Sequence, residues 1–213
     1  MKIIKPSFEI LDNINGKEML RKIEAAARTC YKSEDKITDD SAEKLVRNLI
    51  KRGHESALEH EKISVRIICD RGVSHELVRH RLASYSMEST RYCNYSQGKF
   101  GGEITFIRPC FWNEESEPYK LWLIAMQKIE NYYIGLMNRG ATQQEARSVL
   151  SNSLKTEIVM TANIREWRHF FKLRCAPDAH PQMREIALMM LKEFSARIPV
   201  VFDELAKEHC NEK

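Results

Sequence analysis

Residues 62–70, KISVRIICD, alternate apolar and polar side chains, with Ile63, Val65 and Ile67 on one face and Ser64 and Arg66 on the other. A period of two marks a strand with one face buried. A fold that accommodates this segment needs a sheet lying on a core. Residues 154–164, LKTEIVMTANI, are similarly β-rich, and KPSFEIL near the start reads as an opening strand.

Helical spacing fills the intervals. Residues 17–28 carry Met19, Leu20, Ile23, Ala26 and Ala27 on one stripe. Residues 41–52 follow the i, i+3, i+4, i+7 rule with Ala42, Leu45, Val46, Leu49 and Ile50. Asp39 or Asp40 is expected to cap the start of this helix and Gly53 to end it. GVSHELVRHR reads as a short helix, and 118–138 as a long one that buries Leu121, Ala125, Ile129, Tyr132 and Leu136 before Gly140 breaks it. Thr142 and Glu145 form a capping-box pattern for a helix over 143–150. REWRHFFKLR predicts another helix, for which an ordinary cap is the plain alternative to a functional role for Asn163, and a last one starts near 182 and is interrupted at Pro199. Strands mingle with helices but not in regular βα alternation, so the doubly wound pattern is set aside for an α+β fold.

A length of 213 residues fits one domain, read as 1–213. The net charge of +4, from 34 basic and 30 acidic residues, is too mild for a general nucleic-acid binder. No apolar run is long enough to span a membrane. Six cysteines without a C-x-x-C pair indicate a reducing, cytoplasmic setting with most thiols buried. The tail from Cys210 to Lys213 is expected to fray.

The chemistry concentrates in RHRLASYSMESTR, 79–91, where Arg79, His80 and Arg81 stand together and Ser84, Ser89 and Arg91 follow. An arginine fork matches a phosphate or carboxylate bidentately, and serine hydroxyls add donors. On a helix the three adjacent side chains would point about 100° apart. They would serve two ligands, or one long ligand, from different sides. A solvated basic turn is the plain alternative. HESALEH, 54–60, is not a zinc motif: on a helix His54 and His60 stand about 120° apart, and His75 and His80 about 140°. No metal is expected. NIREWRHFFKLR places Arg165 and His169 on one helix face, with Trp167, Phe170 and Phe171 available to a core. Cys110 has no neighbouring base, Ser89 has no evident one, and Arg147 does not stand out.

The segment fits RHR-x-x-S-x-x-x-x-S-x-R at every fixed position, and in this it resembles the flavin-dependent thymidylate synthases. GHESALEH and ARSVLSNSLKTEIVMTANIREWRHFFKLR extend the likeness over most of the chain. The resemblance implies reductive methylation of dUMP to dTMP. Methylenetetrahydrofolate would donate the carbon, FAD would mediate and NADPH would reduce, without a cysteine nucleophile. It also implies a central, mostly antiparallel sheet flanked by helices, an additional helical part, and a homotetramer with shared active sites. Residue by residue, it puts FAD on Ser56, Glu59, Arg79, His80, Arg81, Met87, Asn163, Arg165 and His169. It puts dUMP on Glu76, Leu77, Val78, Arg79, Met87, Glu88, Ser89, Thr90, Arg91, Arg147 and Arg174. Arg174 and Ser89 take the catalytic positions, with Arg174 set against the pyrimidine edge, and His54 lies toward the folate and nicotinamide.

Three positions depart from the family pattern. Ser86-Met87-Glu88-Ser89 replaces the commoner Asn-Glu-apolar-Ser, Glu76 stands where some relatives have glutamine, and His169 where some have asparagine. Two rivals compete with this reading. One is an RNA- or nucleotide-binding module stacking bases on Tyr85, Tyr92 and Tyr95; the other is a flavoprotein acting on a different pyrimidine.

Overall fold

The computed structural model describes residues 1–98 and 101–210. The strands are β1 (Lys2–Ile4), β2 (Ser7–Ile10), β3 (Lys62–Asp70), β4 (Ala83–Met87), β5 (Thr105–Ile107) and β6 (Lys155–Asn163). The helices are α1 (Gly16–Thr29), α2 (Ser41–Lys51), α3 (Arg71–Leu77), α4 (Glu117–Met137), α5 (Gln143–Ala146), α6 (Ile164–Arg174), α7 (Pro181–Arg197) and α8 (Pro199–Cys210). The chain divides into two compact units. Unit 1 comprises Met1–Phe8, Arg66–Arg79 and Tyr85–Val159; unit 2 comprises Glu9–Val65, His80–Ser84 and Met160–Lys213.

One sheet runs β2-β3-β6-β4, and β1 pairs with β5 in parallel, Ile3 opposite Phe106. β3 and β6 are antiparallel: Ile164 N–H donates to Glu61 at one end, and Arg71 N–H donates to Leu154 at the other. β3 alternates as expected, with Ile63, Val65 and Ile67 fully buried, and β6, expected only to be β-rich, alternates as well, with Thr156, Ile158, Met160 and Ala162 buried. The structure is therefore mixed α and β, with an antiparallel sheet and helices.

Within unit 1, α4 packs on β5 and α5 through Tyr119, Trp122, Met126 and Tyr133 around Phe106 and Leu154. This corrects the expected stripe: Leu121 is 69% and Tyr132 63% exposed. Lys120, Gln127, Lys128 and Asn131 share the exposed side with Leu121 and Tyr132, and the larger aromatic surface of Tyr119, Trp122 and Tyr133 lies opposite and is buried. Glu130 is buried because Ile104 N–H donates to it at 2.8 Å and the terminal ammonium lies 3.0 Å away. Beyond Gly140, which takes a positive φ, Thr142 and Glu145 form the expected capping box, but the turn tightens after Ala146.

Within unit 2, Trp167, Phe171, Phe194 and Phe202 make an edge-to-face cluster joining α6, α7 and α8. Asp40 makes no capping bond to α2, and Ser41 Oγ instead accepts from Thr38 N–H and donates to the buried Glu24. Only Cys69 and Cys175 of the six thiols are buried, fewer than expected. Cys210 still belongs to α8, and 211–213 of the tail expected to fray lie outside the described residues. Among the described residues, no helix is long and apolar enough to cross a membrane.

Candidate active site

α3 stops at Leu77, earlier than expected, and the chain bends before β4. The three cations are therefore not on a helix. Arg79 and Arg81 face solvent, while His80 is buried. The motif is also divided: Arg79 and Tyr85–Arg91 belong to unit 1, His80–Ser84 to unit 2.

In unit 2, β6 runs directly into α6. Asn163 caps this helix by accepting from Glu166 N–H at 2.8 Å. That cap aims the first turn of α6 at a depression of about 410 Å³, lined by Glu59, Asn163, Arg165 and His169 of the expected flavin residues. Glu55, Leu82, Glu166 and Lys172 also line it, and the sequence reading did not single them out. Arg165 holds Glu59 at 2.5 Å, which ties α6 to the turn over 55–60 that also carries Ser56. Ser56, Arg81 and His54 are exposed. Replacing Asn163 with alanine is expected to cost about 0.5–2 kcal/mol, the usual loss for an N-cap. Urea unfolding would show the loss, and a change below that range would mean the cap is dispensable.

Both ring nitrogens of His80 are engaged. Nδ1 lies 3.1 Å from Glu166 Oε1, and Arg174 Nε donates to Nε2 at 3.1 Å. Burial holds His80 below the usual histidine value of about 6.5. Glu166 works against this shift, and Arg174 and His169 add to it. His80 is therefore neutral in the folded protein. The stability tied to its neutral form is complete above about pH 6.5 and is lost as pH falls through the lower folded value. His80, Glu166 and His169 bring three potential metal-ligand atoms within 4.8 Å of one another. The Arg174 guanidinium on Nε2 occupies that nitrogen with a positive charge, which disfavours a metal ion there.

In unit 1, Glu76, Leu77, Val78 and Arg79 make the end of α3 and its exit, and the Arg79 N–H donates to the Glu76 carbonyl. Leu77 is buried, and Tyr85 Oη donates to its carbonyl at 2.7 Å. Met87 is partly exposed beside Glu88 in a second depression of about 430 Å³. Glu88 is tightly held: it accepts from Lys155 at 2.7 Å and from Tyr95 Oη at 2.8 Å, and its own N–H donates to the Glu157 carbonyl. Ser89 Oγ accepts from Arg91 N–H, and Arg91 lies over the Tyr92 ring. Arg147, which the sequence alone did not mark, donates to the buried Thr90 at 3.4 Å. Tyr95 is 4% exposed, so it cannot serve as a base-stacking platform and the RNA-binding rival loses one of its three faces.

The profile of the family described as thymidylate synthase complementing protein matches residues 10–200. The chain is 37% identical over 166 residues to the flavin-dependent thymidylate synthase of Pyrococcus furiosus, covering 78% of this chain and 67% of that one. It is 33% identical over 184 residues to the enzyme of the same name from Geobacter sulfurreducens, covering 83% and 78%. Among solved structures, it resembles the UMP/dUMP methylase PolB from Streptomyces cacaoi bound with 5-Br dUMP. The TM-score is 0.79 over 98% of this chain and 97% of that one, at 24% identity, a likeness of fold.

Proposed function

The chain belongs to the thymidylate synthase complementing protein family, and on that premise we propose that it is a flavin-dependent thymidylate synthase, methylating dUMP to dTMP. FAD is the proposed mediator, methylenetetrahydrofolate the carbon donor and NADPH the reductant, in the reducing cytoplasm. The observation that carries the flavin assignment is the meeting of Glu59, Asn163, Arg165 and His169 around one depression. Its donors suit the group: Arg165, His169 and the nearby Arg81 face water, where guanidinium and imidazole can reach a diphosphate. With Ser56, these residues would hold FAD, whose bound isoalloxazine would supply hydride chemistry.

The protein's own part is positioning and charge. Arg91 ends the segment 87–91 and Arg147 reaches Thr90 within it; both supply guanidinium donors for a nucleotide phosphate, and Arg79 adds a third at the exit of α3. Arg174 provides a fixed positive charge for the pyrimidine ring, where it stabilises negative charge as it develops. Burial raises Cys69 and pushes Cys175 up to about 12, so both stay protonated at neutral pH, in keeping with a route that uses no cysteine nucleophile.

Two measurements on the purified protein test the assignment. It is expected to be yellow, with flavin absorbance, and to bind dUMP in preference to UMP and dCMP by isothermal titration. A colourless protein with salt-sensitive oligonucleotide binding would favour the RNA-binding module instead. A flavoprotein without preference for dUMP would favour the other pyrimidine.

A homotetramer with shared active sites is part of the same proposal. It is supported by the exposed face of α4, where Leu121, Ile124 and Tyr132 are each more than half exposed. Leu121→Asp is expected to leave unfolding within about 0.5 kcal/mol and to shift the mass in light scattering to a smaller species. An unchanged tetramer would place the contact elsewhere.

A further inference from the structure

Positions 166, 170 and 174 recur every four residues along α6 and share one face of that helix. His80 lies against this face. Its ring meets Glu166 at 3.1 Å, Phe170 edge-on at 5.0 Å between centroids, and Arg174 at 3.1 Å. His169, which precedes Phe170 on α6, stands 5.9 Å away, ring to ring. His80 and Glu166 are 4% and 6% exposed.

The proton in this row can be placed from chemistry alone. Arginine Nε carries a hydrogen and can only donate. His80 Nε2, which accepts from it, is therefore unprotonated. In a neutral imidazole the remaining hydrogen is then on Nδ1, facing the Glu166 carboxylate, which accepts it. With Nε donating to His80, the direction of one donor of the Arg174 guanidinium is held by the imidazole.

Resting on the synthase reading above, we propose that Glu166 is a positioning residue for the reaction. By accepting the Nδ1 proton it holds His80 in one tautomer, and through His80 it aims the Arg174 guanidinium at the pyrimidine. The Glu166–His80–Arg174 row is thus a single device, of which only the last member meets the substrate. Glu166→Leu keeps a side chain of similar size and removes the acceptor, while Glu166→Gln keeps an acceptor oxygen without the charge.

The first test needs no substrate. Nitrogen NMR of the ¹⁵N-histidine-labelled full chain near neutral pH is expected to show His80 with Nδ1 protonated and Nε2 bare. In Glu166→Leu this preference is expected to be lost or reversed. Glu166→Gln is expected to retain more of it. A His80 that carries its proton on Nε2 in the native protein, or whose tautomer ignores Glu166→Leu, overturns the device.

The second test is kinetic. Glu166→Leu is expected to lower kcat by about tenfold with little change in KM for dUMP, within the range seen for coupled neighbours. Added to Arg174→Ala, it is expected to cause no further loss, because the aimed group is already gone. A full additional loss in the double variant would mean that Glu166 acts only through general stability. The acid limb of the pH profile provides a third readout. Protonating His80 puts an N–H against the Arg174 N–H, so activity falls on that limb below about pH 6.5. Without the carboxylate, which raises His80, the limb is expected to move to lower pH. If the chain proves not to methylate dUMP, the synthase reading fails, while the NMR result still decides the tautomer device.

Discussion

Replacing Arg168 with alanine is expected to lower the unfolding free energy by about 3–5 kcal/mol, the usual cost of removing one partner from a buried charge pair. Arg168 is 2% exposed. Its Nε donates to Glu55 at 3.2 Å and its Nη1 to the Val201 carbonyl, with Glu204 3.7 Å from Nη2. Glu204 is 73% exposed and contributes little, so the Glu55 carboxylate and the Val201 carbonyl carry the expected effect. Alanine would leave Glu55, itself only 17% exposed, without this partner, and would open a space among α6, α8 and the turn over 55–60. Urea unfolding should move to a lower midpoint with the same slope. Arg168→Lys keeps a charge but loses the planar fork, and an intermediate loss is expected. A loss below about 1 kcal/mol would mean that the guanidinium is far less tightly coupled than its contacts imply. The consequence for activity would come through the same turn, because Glu55 begins the segment that carries Ser56 and Glu59.

Arg174→Ala is expected to lower kcat by about 10²–10³-fold, or about 2.7–4 kcal/mol, the cost of removing one preorganised donor from developing charge. If the group acts only in the transition state, kcat and kcat/KM should fall together. Flavin absorbance should persist in the variant, separating this loss from a loss of cofactor. Arg174→Lys is expected to recover little, because an ammonium cannot both donate through Nε to His80 and present a second edge to a ring. The check is steady-state dTMP formation at saturating dUMP. Turnover within a few-fold of native would remove Arg174 from the chemistry.

Much of the scaffold was legible residue by residue. The alternation in KISVRIICD, the β-rich composition of KTEIVMTAN, the capping box at Thr142 and Glu145, the Asn163 cap and the break at Pro199 all depend on neighbours a few positions apart. A backbone with one buried face, or a helix end with orphan N–H groups, imposes its needs locally. The motif over 79–91 was legible for the same reason, as fixed residue types at fixed spacing. Where α3 ends and whether His80 points in or out were not. Those outcomes depend on which distant surfaces compete for contact. The buried face of α4 was misassigned although the polar Lys120, Gln127, Lys128 and Asn131 mark the side opposite it. Glu166 left one signal that could have been noticed: a carboxylate four and eight positions before Phe170 and Arg174, on the face of a basic helix that carries its aromatic core.

By itself, the sequence determined β2, β3 and β6, most helix limits and the donor-rich segment, because each follows from short-range periodicity, capping and residue type; the short strands β1, β4 and β5 were not read from it. Only the tertiary structure decided that Arg147 reaches Thr90 across 57 residues, that His80 meets Glu166 across 86 and Arg174 across 94, and that Arg168 holds Glu55 across 113. Pairings at such separations are selected by how buried polar groups find partners once the chain has collapsed, and no local spacing encodes that choice.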